Sequence, residues 1–235
     1  LSITACSNNS IFEVTEPTKA LEGLVEPTEA GNVVEVIGSE TSTSPTSQPL
    51  LEEVEVVLLN IPERIQAASF EYSGLAWFGE DLVLLPQFPQ GKDFSREANL
   101  FTIAKGDLLQ AIENPDLELL IRDVPIINSD LRKVIKGFEG FESILFVEGE
   151  VYLTIESRAG NPMMGYLIRG EVKGELESIT LDPESLVELV PFSSAGNATF
   201  EAMTYWNGKL YILYEHNSKQ GDKLPVAYQY NLDLE

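Results

Sequence analysis

One cysteine, one histidine and 15 Lys and Arg residues against 38 Asp and Glu mark this 235-residue chain by what it lacks. A single cysteine, Cys6, allows no intrachain disulfide and no Cys-rich metal site. A single histidine, His216, rules out a His-x-x-x-His zinc helix. Any Ser-His-Asp triad would have to pass through that one imidazole, and no Gly-x-Ser-x-Gly elbow is present. Neither a P-loop nor a Gly-x-Gly-x-x-Gly run follows any strand-like segment. The shortage of bases leaves a formal net charge of −23. Such a chain repels a phosphate backbone, which proteins bind largely through Lys and Arg, so nucleic acid is not an expected partner.

What the chain does have is apolar content of 43%, enough for a sizeable core. Its acidity favours solubility, cationic partners or a bound divalent metal. At the start, Leu1-Ser2-Ile3-Thr4-Ala5-Cys6 resembles a bacterial lipobox, in which small residues precede a lipidated cysteine. Residues 1–6 are therefore read as the remnant of a signal peptide, with Cys6 as the lipidation site. The five residues ahead of Cys6 are far short of the ~20 that a membrane-spanning helix needs. The resemblance implies a lipid-anchored protein of the bacterial cell envelope, facing the periplasm or the cell exterior, with the membrane as one partner. Residues 7–53 follow as a Ser/Thr/Pro-rich stretch with nine acids and one base, Lys19. That composition suits a disordered, self-repelling linker.

From residue 54 to 235 the texture is that of strands, and one pattern recurs. FESILFVEGEVYLTIES begins at Phe141, and FEAMTYWNGKLYILYEHN begins 59 residues later at Phe200. A third copy, SGLAWFGEDLVLLPQ, begins at Ser73, 69 residues before Glu142. A spacing of this order is the mark of a repeat fold. In the middle unit, strands are expected over residues 142–147, 150–157, 165–172 and 175–182. Glu148-Gly149, the stretch 158–162 and Lys173-Gly174 supply the turns. The first unit offers strands at 99–104 and 117–122, with a short helical turn near 107–112. The last offers 225–232 as its third strand, and 54–59 reads as an additional strand. Apolar residues on both strand faces, as in LYILY, suit sheets covered on both sides. The expected fold is all-β, built of β-propeller blades of four antiparallel strands. Two full blades and part of a third make an incomplete ring, and the chain is expected to be a fragment of a longer reading frame.

The openings of these units resemble the phytase-like, or esterase-like, β-propeller proteins of bacteria. The matching stretches are 73–87, 142–156 and 201–215, the first departing from the pattern with Ser73 and Gln87 in place of acids. Beside the resemblance, the residues themselves nominate a site. Glu142 and Glu201 open the first strand of their units, where a carboxylate pair could hold Ca²⁺ or act as general acid and base. They are the candidate metal ligands and catalytic residues. Glu156 and Glu215 end the second strand; they line the opposite end of the sheet or mark its exit into solvent. His216, next to Glu215, is a further candidate ligand or base. Arg132, Lys133 and Lys136 form the one local basic group, on a loop between units. Trp77, Tyr205 and Trp206 are read as core. Two functions compete on this sequence: a binding module for a small-molecule, glycan or protein ligand, and a phytase-like, calcium-dependent ester or phosphoester hydrolase.

Overall fold

The computed structural model describes residues 2–3, 33–34, 56–66, 68, 70–91, 97–160, 163–191, 200–215 and 226–234. The lipobox-like Cys6, His216 and the linker reading over 7–53, save Val33–Val34, lie outside the described residues. Among those described, strands dominate. Two-residue strands β1 (Ser2–Ile3) and β3 (Val57–Leu58) pair with one another, and β2 is Val33–Val34. Next come β4 (Tyr72–Phe78), β5 (Asp81–Pro86) and β6 (Asn99–Ala104), the nine-residue helix α1 (Lys105–Glu113) and β7 (Arg122–Ile127). A second series is β8 (Phe138–Val147), β9 (Glu150–Ser157), β10 (Met164–Lys173), β11 (Ser178–Leu181) and the short β12 (Val187–Leu189). The last is β13 (Phe200–Trp206), β14 (Lys209–Tyr214) and β15 (Val226–Tyr230).

Neighbouring strands pair antiparallel along β4-β5-β6-β7 and again along β8-β9-β10-β11. A two-residue parallel contact joins the two series, Ile126 to Ile179 and Ile127 to Thr180. It starts one residue after Pro125, which has no amide hydrogen to offer a ladder. The first strands of the two series, β4 and β8, also lie against each other, so the sheet nearly closes on itself like a barrel. A separate four-stranded sheet, β13-β14-β15-β2, takes its last strand from far upstream in the chain.

Burial on both faces explains why the strands lose the apolar–polar alternation of a half-solvated sheet. On β5, Val83 and Leu85 enter the cluster shared with β8 and β9, while Leu82 and Leu84 pack beneath α1 with Phe101 and Ile103. β9 divides the same way. Val151, Leu153 and Ile155 face the first series, and Tyr152 faces Phe200, Leu210 and Ile212. Each such side chain contributes on the order of 1.5–3 kcal/mol by leaving water.

Three sequence expectations are corrected. The fourth strand of the first unit is Arg122–Ile127 rather than 117–122. Leu117 to Ile121 instead runs beside Asn60, whose carbonyl accepts from the Leu119 amide at 2.9 Å. Of the strand expected over 54–59, residues 56–59 are described, and of these Val57–Leu58 form the strand. Trp77 and Trp206 are not core: they are 50% and 68% exposed. Both sit on the strand face that turns away from the neighbouring series, opposite the face carrying Phe78 or Tyr205.

Candidate functional site

The three repeated hairpins share more than their residues. Each is closed by a two-residue turn, and Glu148-Gly149 and Asn207-Gly208 have the positive φ at both positions that matches strand twist. Each also carries an extra residue at the same place, and β8 has a second one at Glu139. Tyr72 faces Pro86 and Gly74 faces Leu85, so Ser73 has no opposite number. Phe141 faces Ile155 and Ser143 faces Thr154, leaving Glu142 over. Phe200 faces Tyr214 and Ala202 faces Leu213, leaving Glu201 over. A bulge of this kind bends the strand and re-aims the side chain of the extra residue. The repeat thus sets Ser73, Glu142 and Glu201 apart from the ladder three times over.

These side chains gather with the ends of the second strands. Gln87 Nε2 donates to Glu142 Oε1 at 2.7 Å, crossing from the first hairpin to the second. The Glu142 and Glu156 carboxyls are hydrogen-bonded to each other, and the charge of Glu201 reaches both. Glu156 therefore lies at the same end as Glu142, not the opposite one, because a hairpin returns its second strand to where its first began. Nor does Glu156 exit into solvent: it is 9% exposed and Glu142 5%. Glu215 holds the corresponding place in the third hairpin and is half-buried.

Two further bonds hold this end in register. The Phe141 amide donates to the Gln87 carbonyl at 3.0 Å, and Ser73 Oγ donates to the Phe141 carbonyl at 2.7 Å. One unit further on, Thr154 Oγ1 donates to the Phe200 carbonyl at 2.9 Å. The approach is close enough to require glycine at position 140, where a Cβ would lie 2.4 Å from Gln87 Cγ and 2.8 Å from its carbonyl oxygen.

Burial, and then the hydrogen bond to Glu156, push the Glu142 carboxyl up to about 9. Burial also raises Glu156. The chemistry agrees with the contact, since two carboxyls can hydrogen-bond only when one keeps its proton. Glu142 accepts from Gln87 at Oε1, a bond that favours its ionised form, while burial and Glu156 favour the protonated one. Beside the pair opens a cavity of about 470 Å³. Its polar wall is Glu71, Gln87, Glu139, Glu156 and Arg158; Phe88 and Phe138 supply apolar surface. Arg158 Nε stands 3.3 Å from Glu139 and its terminal nitrogen 3.9 Å from Glu156. The arrangement can hold a ligand between acceptors and one cation, and can exchange a proton at Glu142.

Glu142 and Glu201 were nominated as a pair and Glu156 apart from them; the structure puts Glu156 beside Glu142 with the charge of Glu201 in reach, and adds Gln87, Glu139 and Arg158, which were not nominated. Gln87 was in view as a departure from the acidic pattern; its amide donates to Glu142 where another acid would repel it. Among the described residues, no group of three or more His, Cys, Asp and Glu is arranged to hold a metal ion. Arg132 and Lys133 sit on the expected loop between β7 and β8, where both pair with Asp130. Comparison with protein-family models, with curated proteins and with solved structures found no match to this chain.

Proposed function

We propose that this chain is a propeller-like repeat protein that binds a small ligand at the bulged end of its hairpins. On this reading β4 to β7 and β8 to β11 are successive four-stranded blades, and β13 opens a third. Antiparallel pairing within each series and burial of apolar residues between them support it. Anchoring through Cys6 to a bacterial envelope membrane belongs to the same proposal, supported by the lipobox-like residues and the acidic stretch after them. The observation that carries the binding role is the bulge that recurs at Ser73, Glu142 and Glu201, beside an open cavity. Irregularities of this kind persist where a side chain must be re-aimed. The lining favours a molecule with hydrogen-bond donors, hydroxyls or an amine, placed against Glu71, Glu139 and Glu156 with its apolar part on the phenyl rings.

The test is a panel of sugars, polyols and amines screened by ligand-observed NMR against the wild type and Arg158→Ala. Loss of the guanidinium also frees Glu139, so binders that use this cavity should change affinity by at least about tenfold, or 1.4 kcal/mol. A panel without binders, or binders indifferent to the substitution, contradicts the proposal.

A second reading, ester or phosphoester hydrolysis, is supported by the placing of two buried glutamates, Glu142 and Glu156, side by side, the pairing that general acid–base chemistry uses.

A further inference from the structure

The three hairpins, β4-β5, β8-β9 and β13-β14, meet one another by one rule of faces. Between the first and second, Ala76 and Phe78 of β4 share a cluster with Ile144 and Phe146 of β8. The Phe78 and Phe146 rings meet edge to face there, with centroids 5.2 Å apart. Between the second and third, Leu145 and Val147 of β8 share a cluster with Met203 and Tyr205 of β13. In the gapless alignment Ala76 and Phe78 correspond to Leu145 and Val147, and Ile144 and Phe146 correspond to Met203 and Tyr205. Both contacts therefore set the forward face of one hairpin on the rear face of the next.

Two faces are left over, one of each kind. The first hairpin keeps its rear face, where Leu75 and Trp77 correspond to Ile144 and Phe146. Helix α1 covers Leu82 and Leu84 of that face, but Leu75 and Trp77 stay exposed. The third hairpin keeps its forward face, with Ala202, Thr204 and Trp206 opposite Leu213, Tyr211 and Lys209. Trp206 and Leu213 are exposed, and the Trp206 ring lies 6.4 Å from that of Tyr211. Large apolar residues gathered on one exposed face, rather than scattered singly, mark a surface that binds.

We propose that a second copy of this chain covers both faces. The forward face of the third hairpin in one copy docks on the rear face of the first hairpin in the other, and the reciprocal contact closes a ring of six hairpins. Continuity with the contacts inside the chain selects this occupant. The face that β13 leaves open is the one that β4 turns to β8 and β8 turns to β13. The face that β4 leaves open is the receiving one, and a second copy brings the matching face to each. A contact between unlike faces repeats until it closes. Six units fall within the range of about four to eight that closed propeller rings use. Closure as a pair rests on the propeller-like reading; the docking contact rests on the faces alone, and neither depends on what the cavity binds.

Sedimentation velocity of the full chain tests this from about 1 to 100 μM, at about 0.15 M salt, where repulsion between two acidic copies is screened beyond about 8 Å. The wild type should reach the mass of two chains and go no further. Trp77→Glu spoils the rear face alone, and Trp206→Glu the forward face alone. Each sets a carboxylate into an apolar contact and should weaken pairing at least about tenfold. Mixed in equal amounts, the two variants should pair again, more weakly than the wild type, because one forward face and one rear face remain intact. Both tryptophans are exposed, so neither substitution opens the core. A wild type of single-chain mass throughout, or a ladder of ever larger assemblies, overturns the proposal. So does a variant that pairs as the wild type does, or a mixture that stays apart. Should a variant not fold, the wild-type mass decides alone.

Discussion

A glycine on β10 and a phenylalanine on β13 show how little slack the contact between the second and third series has. Phe200 lies on the backbone of Gly165, and a Cβ at that position would come within 2.1 Å of the Phe200 ring. The ring cannot retreat, because Tyr214 and Tyr228 flank it at centroid distances of 5.1 Å each. Gly165→Ala should therefore destabilise by about 1–3 kcal/mol, the usual range for overpacking, read as a lower urea midpoint with unchanged slope. No change in the midpoint would mean that the ring is not held as described. Nothing in the sequence marked Gly165, since a glycine in a strand has no side chain by which a pattern can reveal its neighbour. Glu142 was legible as a candidate for the opposite reason: an acid at the head of an apolar strand stands out. Its raised pKa was not legible, because that depends on burial and on Glu156, 14 positions away in the chain.

Among elements, the hairpins carry most of what could be read beforehand. Their gapless alignment is matched in the register, pair by pair, through Tyr72–Pro86, Phe141–Ile155 and Phe200–Tyr214. A bulge that every copy shares leaves no gap in such an alignment, which is why it stayed hidden. The fourth strand of the first unit was misplaced for a different reason. Leu117, Leu119, Leu120 and Ile121 form the more apolar run, but β7 is the segment that crosses Pro125. Tertiary contacts with β6 and β11 outweighed the local preference. The bulge has a testable consequence. Deleting Glu142 would shift the earlier half of β8 by one residue and turn Phe141, which is buried, to the other strand face. The deletion should abolish cooperative unfolding in a thermal melt. Glu142→Ala keeps the extra residue and should still melt cooperatively. A deletion mutant as stable as the alanine variant would show that the register does not depend on the bulge.

At the scale of the whole molecule, an excess of acid is the first thing the composition announces, and a formal count gives every carboxyl a charge. All-β architecture and the succession of strands were readable from repeat spacing and turn residues, because those are local signals. The near-closure of the sheet was not, as it depends on β4 meeting β8 and on two residues of β7 meeting β11. The site arises from the same closure, which brings Gln87 onto Glu142; burial beside Glu156 then favours a neutral acid within an acidic chain. Carbon-detected NMR titration of the glutamate side-chain carboxyls, from pH 3 to pH 10 on the intact chain, tests this most directly. The Glu142 signal should remain in its protonated position through pH 7, move near 9, and vanish from that position in Glu142→Gln. A spectrum in which every glutamate, Glu142 included, has lost its proton by pH 6 would contradict it.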